Sequence, residues 1–184
     1  MGEAIKDNNS DFIKISLEKA VNGIFEIRQT QLEEAAETIR ASFATVAAEF
    51  GITKQNFPNH TSFITGEKLQ SNFNQGWLMY GVYDNKRIVG YVSLSNENGN
   101  VYKLHNLAVL PEYRHKGYGK QLLNFCKTKA AELGGNKIKI DIIEENFVLK
   151  SWYIDNGFIH IGTITVENLP FTVGMLEWEK GINI

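Results

Sequence analysis

Apolar residues change their spacing from segment to segment along the chain, and this spacing predicts the secondary structure. Residues 23–29, "GIFEIRQ", alternate apolar and polar side chains, which is typical of a strand. From Gln31 to about Phe50 the apolar residues recur every three or four positions, which predicts an amphipathic helix with Thr30 as its N-cap and Gly51 as its end. The segment 51–75 gives mixed signals and includes a possible short helix at 67–73.

The second half of the chain alternates strands and helices more regularly. "GWLMYGVYD" and "RIVGYVSLS" flank the turn residues "DNKR" and predict an antiparallel hairpin, which leads through "ENGN" into a strand at 101–110. A helix from Gly117 to Leu133 should end at the glycine pair 134–135, before a strand at 137–143. A helix from Phe147 to Asn156, ended by Gly157, and strands at 158–167 and 172–180 complete the order.

This order predicts the α/β class, or α+β by stricter naming. The strand, helix and strand between Val101 and Ile143 predict a right-handed parallel crossover within a mixed sheet. A chain of 184 residues with 43% hydrophobic residues can bury one substantial core. We therefore expect a single domain over 23–184, preceded by a polar leader over 1–22.

The composition excludes some classes of protein and predicts a cellular compartment. With 19 basic and 21 acidic residues the net charge is -2, which argues against binding nucleic acid through overall charge. The single cysteine, Cys126, excludes an intramolecular disulfide and gives no cluster for zinc. No apolar run approaches the roughly 20 residues of a membrane span, and the start lacks the plan of a secretory signal. We expect a cytoplasmic protein without a metal, either a monomer or a homodimer.

The stretch "RHKGYGK" carries the most specific chemistry in the chain. Gly117 and Gly119 lie where a loop becomes a helix, so unpaired backbone N–H groups converge at the positive end of the helix dipole. The glycines let an anion approach the backbone closely. Arg114, Lys116 and Lys120 are expected to act as mobile cations beside it. The stretch therefore predicts a phosphate-binding site.

Two common phosphate motifs fit this stretch poorly. A P-loop needs an earlier glycine where Arg114 stands and a Ser or Thr where Gln121 stands, so it is rejected. A dinucleotide fingerprint needs three glycines directly after a strand, but "PEYRHK" intervenes and Leu122 takes the third position. Asp141 lies at a distance that would suit that fingerprint, which is disfavoured but remains open.

The third motif, R/Q-x-x-G-x-G/A after an apolar strand end, resembles the acetyl-CoA signature of the GNAT superfamily of N-acetyltransferases. Arg114, Gly117 and Gly119 match it. A second family pattern, N-x-x-A-x-x-x-Y-x-x-x-G-F, is similar to "NFVLKSWYIDNGF": Asn146, Tyr153, Gly157 and Phe158 match, and Leu149 replaces the usual Ala. The resemblance implies a mixed, mostly antiparallel sheet flanked by helices, with a parallel pair at the cofactor cleft.

The resemblance also implies an activity and a set of site residues. The activity would be transfer of an acetyl group from acetyl-CoA to a primary amine of a small molecule or peptide, by direct attack in a ternary complex. An acyl-CoA-binding sensor without turnover is the alternative. Tyr153 would supply the proton to the departing sulfur, and the backbone N–H of Val109 would point at the thioester oxygen. The residues expected to hold the cofactor are Leu107, Ala108, Val109, Arg114, His115, Lys116, Gly117, Tyr118, Gly119, Lys120, Asn146, Leu149 and Tyr153.

A general base is useful because a lysine-like amine is mostly protonated at pH 7. Along "KLHNLAV" strand alternation puts His105 on one face with Leu107 and Val109, so it is a candidate base, although an ordinary half-buried strand histidine is the competing interpretation. His60 and Glu49 are rival candidates.

The sequence does not identify the acceptor amine. We expect the segment 50–75 and the turn near Glu97 to determine acceptor choice. Tyr80, Tyr83 and Tyr91, with Trp77, form either an aromatic wall or, as we favour, ordinary packing in the sheet.

Overall fold

The fold is built on one mixed sheet, described here from a computed structural model that covers residues 23–84, 86–167 and 169–182. The predicted leader therefore lies outside the described residues. The strands pair in the order β1-β2-β3-β4-β5-β7-β6. Their bounds are β1 Ile24–Glu26, β2 Leu78–Asp84, β3 Arg87–Asn98, β4 Val101–Val109, β5 Lys137–Ile143, β6 Ile159–Ile164 and β7 Val173–Glu179. Only β4 and β5 pair in parallel among the described strands, which confirms the predicted parallel pair and fold class.

Four α-helices cover the two faces of the sheet in the described part of the chain. They are α1 Leu32–Glu49, α2 Gly66–Asn74, α3 Tyr118–Glu132 and α4 Phe147–Asp155. Buried residues of α3 and α4 share one core with Leu104, Ile140 and Leu176 of the sheet. The buried residues of α1 and α2 pack with β1, β2 and Ala108 in a second core. Within the described residues, none of the helices combines the length and apolar character that a bilayer crossing requires.

The start of α1 differs from its prediction. A 3-10 turn at Gln29–Gln31 precedes the helix, which begins at Leu32 instead of following Thr30 as N-cap. The side chain of Gln31 explains this start, because its Oε1 accepts the backbone N–H of Arg28 at 2.9 Å. That hydrogen bond stabilises the tight turn, so the threonine is not needed as a cap.

The strands β4 and β5 separate along their length, and this opens a gap in the sheet. Their parallel pairing covers only Val101 to Lys103 against Lys137 to Lys139. Beyond this point, the C-terminal part of β4 pairs only with β3, and that of β5 only with β7. A gap at the carboxyl ends of adjacent parallel strands is a common place for a ligand in α/β folds.

A bulge in β4 lies beside this gap. Tyr91 pairs with Ala108 and Ser93 pairs with His105, so three residue steps on β4 oppose two on β3. Asn106 absorbs the extra residue with a φ of 53°, a left-handed conformation that asparagine tolerates better than most residues. The bulge reverses which residues share a face, and it leaves Asn106 and Leu107 outside the register with β3.

Candidate functional site

A cavity of about 350 Å³ lies in the gap between β4 and β5. Leu104, Ile142 and Tyr153 line it from the face that α3 and α4 cover. Val46 and Phe57 line it from the opposite face, under α1. The cavity therefore borders both faces of the sheet.

The loop before α3 has the geometry that its sequence predicts. Gly117 is the N-cap of α3 with a φ of 87°, and a Cβ at this position would meet nothing within 4 Å. The first internal helix bond joins the N–H of Gln121 to the carbonyl of Gly117 at 3.0 Å. The N–H groups of Tyr118, Gly119 and Lys120 come before it, and no described side chain caps them. Free N–H groups at a helix start, next to a residue without a side chain, suit an anion.

Gly119 allows α3 to pack closely against α4 and β4. A Cβ on this residue would lie 3.6 Å from the ring of Trp152 on α4 and 3.9 Å from Val109. These are ordinary contact distances, so the position serves close packing of α3 against α4 and β4. Of the two glycines, only Gly117 has a backbone conformation that other residues rarely adopt.

The prediction of three mobile cations is wrong for Arg114. Its Nη2 donates to the carbonyl of Ser42 at 2.8 Å and to Oγ1 of Thr45 at 3.0 Å. The side chain thus joins the loop to α1 and has a structural role. Lys116 and Lys120 are exposed beside the helix start, and Lys116 Nζ lies 4.6 Å from the ring centroid of Tyr113.

Two further residues of the predicted set flank these lysines. His115 is exposed and has a φ of 61°, so the backbone turns sharply just before Gly117. The ring of Tyr118 lies 6.2 Å from that of Tyr113 and is half-buried. The loop therefore presents its backbone, the side chain of His115 and two lysine side chains to solvent.

The edge of β4 differs from the prediction at Val109. Its backbone N–H donates to Oγ of Ser42 at 3.2 Å, so the group expected to face the thioester oxygen is already engaged within the chain. Leu107 lines the cavity and lies outside the register with both neighbouring strands. Ala108 is fully buried in the core under α1 and pairs with Tyr91. Of these three residues, only Leu107 both lines the cavity and lies outside the strand pairing.

Tyr153 lies on α4 and lines the cavity with 5% of its surface exposed. Burial raises the pKa of its hydroxyl above the ordinary value of 10.0, and the nearby Cys126 adds to the effect. The ring packs edge-on against Trp152 at 4.9 Å and Phe158 at 5.4 Å. The hydroxyl therefore stays protonated at neutral pH and its position is fixed, as a proton donor requires.

Asn146 and Leu149 place the start of α4 beside the cavity, and both line it. The side-chain Oδ1 of Asn146 accepts the backbone N–H of Leu149 at 3.0 Å, so Asn146 is the N-cap of the helix. Its Nδ2 is the remaining side-chain donor. Because Asn146 both caps α4 and lines the cavity, it can fix the start of the helix and hydrogen-bond an amide group of a ligand.

The prediction that His105 shares a face with Leu107 and Val109 is wrong, because the bulge at Asn106 moves His105 to the other face. Its ring stacks on Trp77 at 4.0 Å, and its Nε2 lies 2.8 Å from Oγ of Ser95. Burial, with Lys103 as a smaller cause, lowers its pKa to about 4, and Asp141 partly offsets this. The cavity lining does not include it among the described residues. These observations favour the competing interpretation, a structural strand histidine.

Of the two rival bases, only His60 lines the cavity; Glu49 is an exposed residue at the end of α1. The Nδ1 of His60 accepts the backbone N–H of Ser62 at 3.2 Å and lies 2.8 Å from its hydroxyl. Burial lowers the pKa of His60, so the ring is neutral and its proton is on Nε2. His60 is therefore placed to donate a hydrogen bond and not to accept a proton.

Sequence patterns missed several walls of the cavity. Phe43 belongs to the apolar spacing that predicts α1, and Phe171 lies between the strands predicted at 158–167 and 172–180. Both line the cavity, and Phe57, His60 and Thr61 of the segment 50–75 join them. The spacing of apolar residues does not reveal contacts between aromatic rings, because these residues lie far apart in the sequence. Tyr80 and Tyr91 are buried in the two cores, which agrees with packing in the sheet.

Comparison with known proteins gives one family. The model of the Acetyltransferase (GNAT) family matches residues 43–158, which run from within α1 to just past α4 and include the loop at Gly117 and the cavity residue Tyr153. An uncharacterised N-acetyltransferase of Brevibacillus brevis is 37% identical over 67 residues, which are 31% of this chain and 43% of that protein. The chain thus spans less than half the length of this curated relative.

Solved structures share the fold at low sequence identity. The PaiA N-acetyltransferase of Thermoplasma acidophilum, in complex with coenzyme A, superimposes with a TM-score of 0.65 and 23% identity over 85% of this chain and 97% of that one. The ribosomal-protein-S18-alanine N-acetyltransferase of Escherichia coli gives a TM-score of 0.67 and 15% identity over 88% of this chain and 98% of that one. At these identities the likeness establishes the architecture.

Proposed function

Because the chain belongs to the GNAT acetyltransferase family, we propose that it transfers an acetyl group from acetyl-CoA to a primary amine of a small molecule or peptide. The amine attacks directly while both substrates are bound. The observation that carries the proposal is the cavity in the gap between β4 and β5, which holds Tyr153 and is lined from both faces of the sheet. Two substrates can meet there without a covalent enzyme intermediate.

The residues around the gap fit acetyl-CoA. Its diphosphate is held by the N–H groups of residues 118–120 and by the exposed Lys116 and Lys120, since open space in front of Gly117 leaves room for an anion. The pantetheine arm lies along the unpaired edge of β4, where Leu107 supplies a backbone N–H. Asn146 Nδ2 donates to an amide of the arm. Bound there, the thioester supplies the activated acetyl group.

The transfer forms one N–C bond and breaks one C–S bond, and it needs one proton for the sulfur. Tyr153 supplies this proton from a hydroxyl that is protonated at neutral pH and held in the cavity wall; because its raised pKa makes it a weaker acid than the thiol, the transfer is coupled to departure of the sulfur. The N–H of Leu107 donates to the carbonyl oxygen as negative charge develops there, a contribution that elsewhere is worth about 2.7 to 4 kcal/mol.

The attacking amine has to lose a proton before or during attack. At pH 7 deprotonating a lysine-like amine costs about 4.6 kcal/mol. A histidine with a pKa of about 4, such as His105, takes up this proton less readily than an ordinary imidazole. We therefore assign the attack to the small fraction of the amine that is already neutral in solution, and the proton that the new N–C bond makes acidic is released to solvent.

One experiment separates this function from an acyl-CoA sensor. Binding of acetyl-CoA is measured by calorimetry, and release of the free thiol is followed with a broad panel of primary amines. Binding together with amine-dependent thiol release supports the transferase. Binding without release for any amine would favour the sensor, and absence of binding would overturn both.

A further inference from the structure

The half of the cavity under α1 is walled by aromatic rings. The rings of Phe57 and Phe171 meet edge to face at 5.7 Å, and His60 lies 5.7 Å from Phe57 and 6.1 Å from Phe43. We call these four residues the aromatic pocket. They come from α1 and from the loops before α2 and before β7, so they enclose the gap from the side opposite α3. Such a surface holds an apolar group and not a strongly hydrated one.

The charges around the aromatic pocket are few. Among the described residues that line the cavity, Asp141 alone is charged, and Lys103 Nζ lies 2.5 Å from its carboxylate. A polyamine or an aminoglycoside carries several cations and would need several acidic partners, which the described lining does not offer. An acceptor with a phosphate or phosphinate group would need a basic partner, and the described lining contains no Lys or Arg.

Polar groups are concentrated beside the bulge of β4. Thr61, Asn106 and Asp141 line the cavity there, next to Leu107. The cavity therefore has a polar end at the proposed reaction centre and an apolar end at the phenylalanines. A molecule that matches it has one amine at one end and an aromatic or branched aliphatic group at the other.

We propose that the acceptor is a primary monoamine attached to an aromatic or branched aliphatic group, which the aromatic pocket binds. This inference rests on the proposed function and specifies its acceptor. The amine nitrogen gains the acetyl carbon and loses one proton, and the thiolate leaves with one proton. A longer acyl chain on the donor is the other apolar group that could enter the pocket, so the test includes it as a competing outcome.

The test compares amines, acyl donors and variants in the full chain. Phenethylamine and isoamylamine are compared with spermidine and kanamycin by thiol release from acetyl-CoA, and octanoyl-CoA is compared with acetyl-CoA. Binding of phenethylamine to the protein saturated with CoA is measured by calorimetry, independently of turnover. The variants are Phe57→Ala and Phe171→Ala. Phe147→Ala is the matched control, because Phe147 lies on α4 with 70% of its surface exposed.

We expect phenethylamine to exceed spermidine at least about 10-fold in kcat/KM, and each pocket variant to weaken its binding about 10- to 100-fold, as loss of one ring contact implies. Phe147→Ala should bind it normally. Faster turnover of spermidine or kanamycin, or unchanged phenethylamine binding in both pocket variants, would overturn this inference and leave the transferase standing. A preference for octanoyl-CoA that Phe57→Ala abolishes would do the same. Absence of CoA binding would instead remove the proposed function itself.

Discussion

The hydroxyl of Ser42 on α1 accepts the backbone N–H of Val109 at the end of β4, at 3.2 Å. Ser42 is 6% exposed, and its carbonyl accepts the guanidinium of Arg114 at 2.8 Å. One helix residue thus joins the strand edge and the glycine loop on either side of the proposed cofactor site. The relative position of these two parts of the site depends on α1.

Replacing Ser42 tests what this hydroxyl does. Ser42→Ala should lower the free energy of unfolding by about 1 kcal/mol, because a buried hydrogen bond is lost. Affinity for CoA should stay the same or rise, since the N–H of Val109 becomes free to pair with the ligand. Calorimetry and urea unfolding measure both effects. Thr45→Ala, which removes an Arg114 contact and leaves Val109 as it is, serves as the control. A large loss of CoA affinity in Ser42→Ala alone would contradict this role.

A substitution at Gly117, at the start of α3, can be compared with one at Gly134, just after the end of the same helix. Gly117→Asp should abolish CoA binding, because a side chain and a negative charge enter the space in front of the free N–H groups. Gly134 also has a left-handed φ, of 84°, and open space around it. Gly134→Asp therefore costs a comparable strain, about 1 kcal/mol, but should leave CoA binding intact. Equal loss of binding in both variants would indicate a general effect of misfolding.

Tyr153→Phe should lower kcat roughly 100-fold if the hydroxyl protonates the departing thiolate. Affinity for CoA should hardly change, because the ring and its packing are kept. Tyr102→Phe is a suitable control, since Tyr102 is buried in the same core at 6% exposure and does not line the cavity. Steady-state kinetics and calorimetry on both variants are the measurement. Unchanged kcat in Tyr153→Phe would remove the proton-donor role.

His105 should make stability depend on pH. Its pKa is about 4 in the folded chain and near the ordinary 6.5 in the unfolded chain, so between these values the unfolded chain binds more protons. The free energy of unfolding should therefore fall as the pH drops from about 6.5 to 4, by at most about 3 kcal/mol. His105→Gln should remove this part of the pH dependence in urea unfolding. An identical pH dependence in both proteins would show that burial of the imidazole has no such effect.

The same variant also tests whether His105 acts as a base. His105→Gln should keep kcat within about threefold of the parent, well below the 100-fold or greater loss that removal of a general base causes. Turnover measured between pH 6 and 9, with CoA binding as a check on folding, decides the matter. A large drop in kcat with normal CoA affinity would restore the histidine as the base.

Apolar spacing was sufficient to predict most of the framework. The segment that predicted a helix over 117–133 forms α3 at Tyr118–Glu132, and the weak signal at 67–73 forms α2 at Gly66–Asn74. These predictions succeed because helix faces and glycine ends are local properties. The proposed phosphate site has an equally local basis, since one loop and one helix start contain all of its proposed donors, and it stays a prediction.

The interior of the site was harder to predict for physical reasons. The alternation of apolar and polar residues does not show where a bulge lies. The extra residue at Asn106 therefore leaves His105 on the face opposite to the predicted one. Hydrogen bonds from a different helix engaged Arg114 and Val109, and no local pattern reveals them. The aromatic pocket combines Phe43, Phe57 and Phe171 across more than a hundred residues of sequence, so it depends on the tertiary fold.

The opening between β4 and β5 has a kinetic consequence under the proposed function, in which the two reactants bind from opposite faces of the sheet. Neither has to leave before the other arrives, so we expect addition in either order and no exchange of acetyl groups in the absence of an acceptor. The product CoA and a new acceptor amine can then be bound at the same time. Such a dead-end complex should appear as inhibition at high amine concentration, strongest when CoA accumulates.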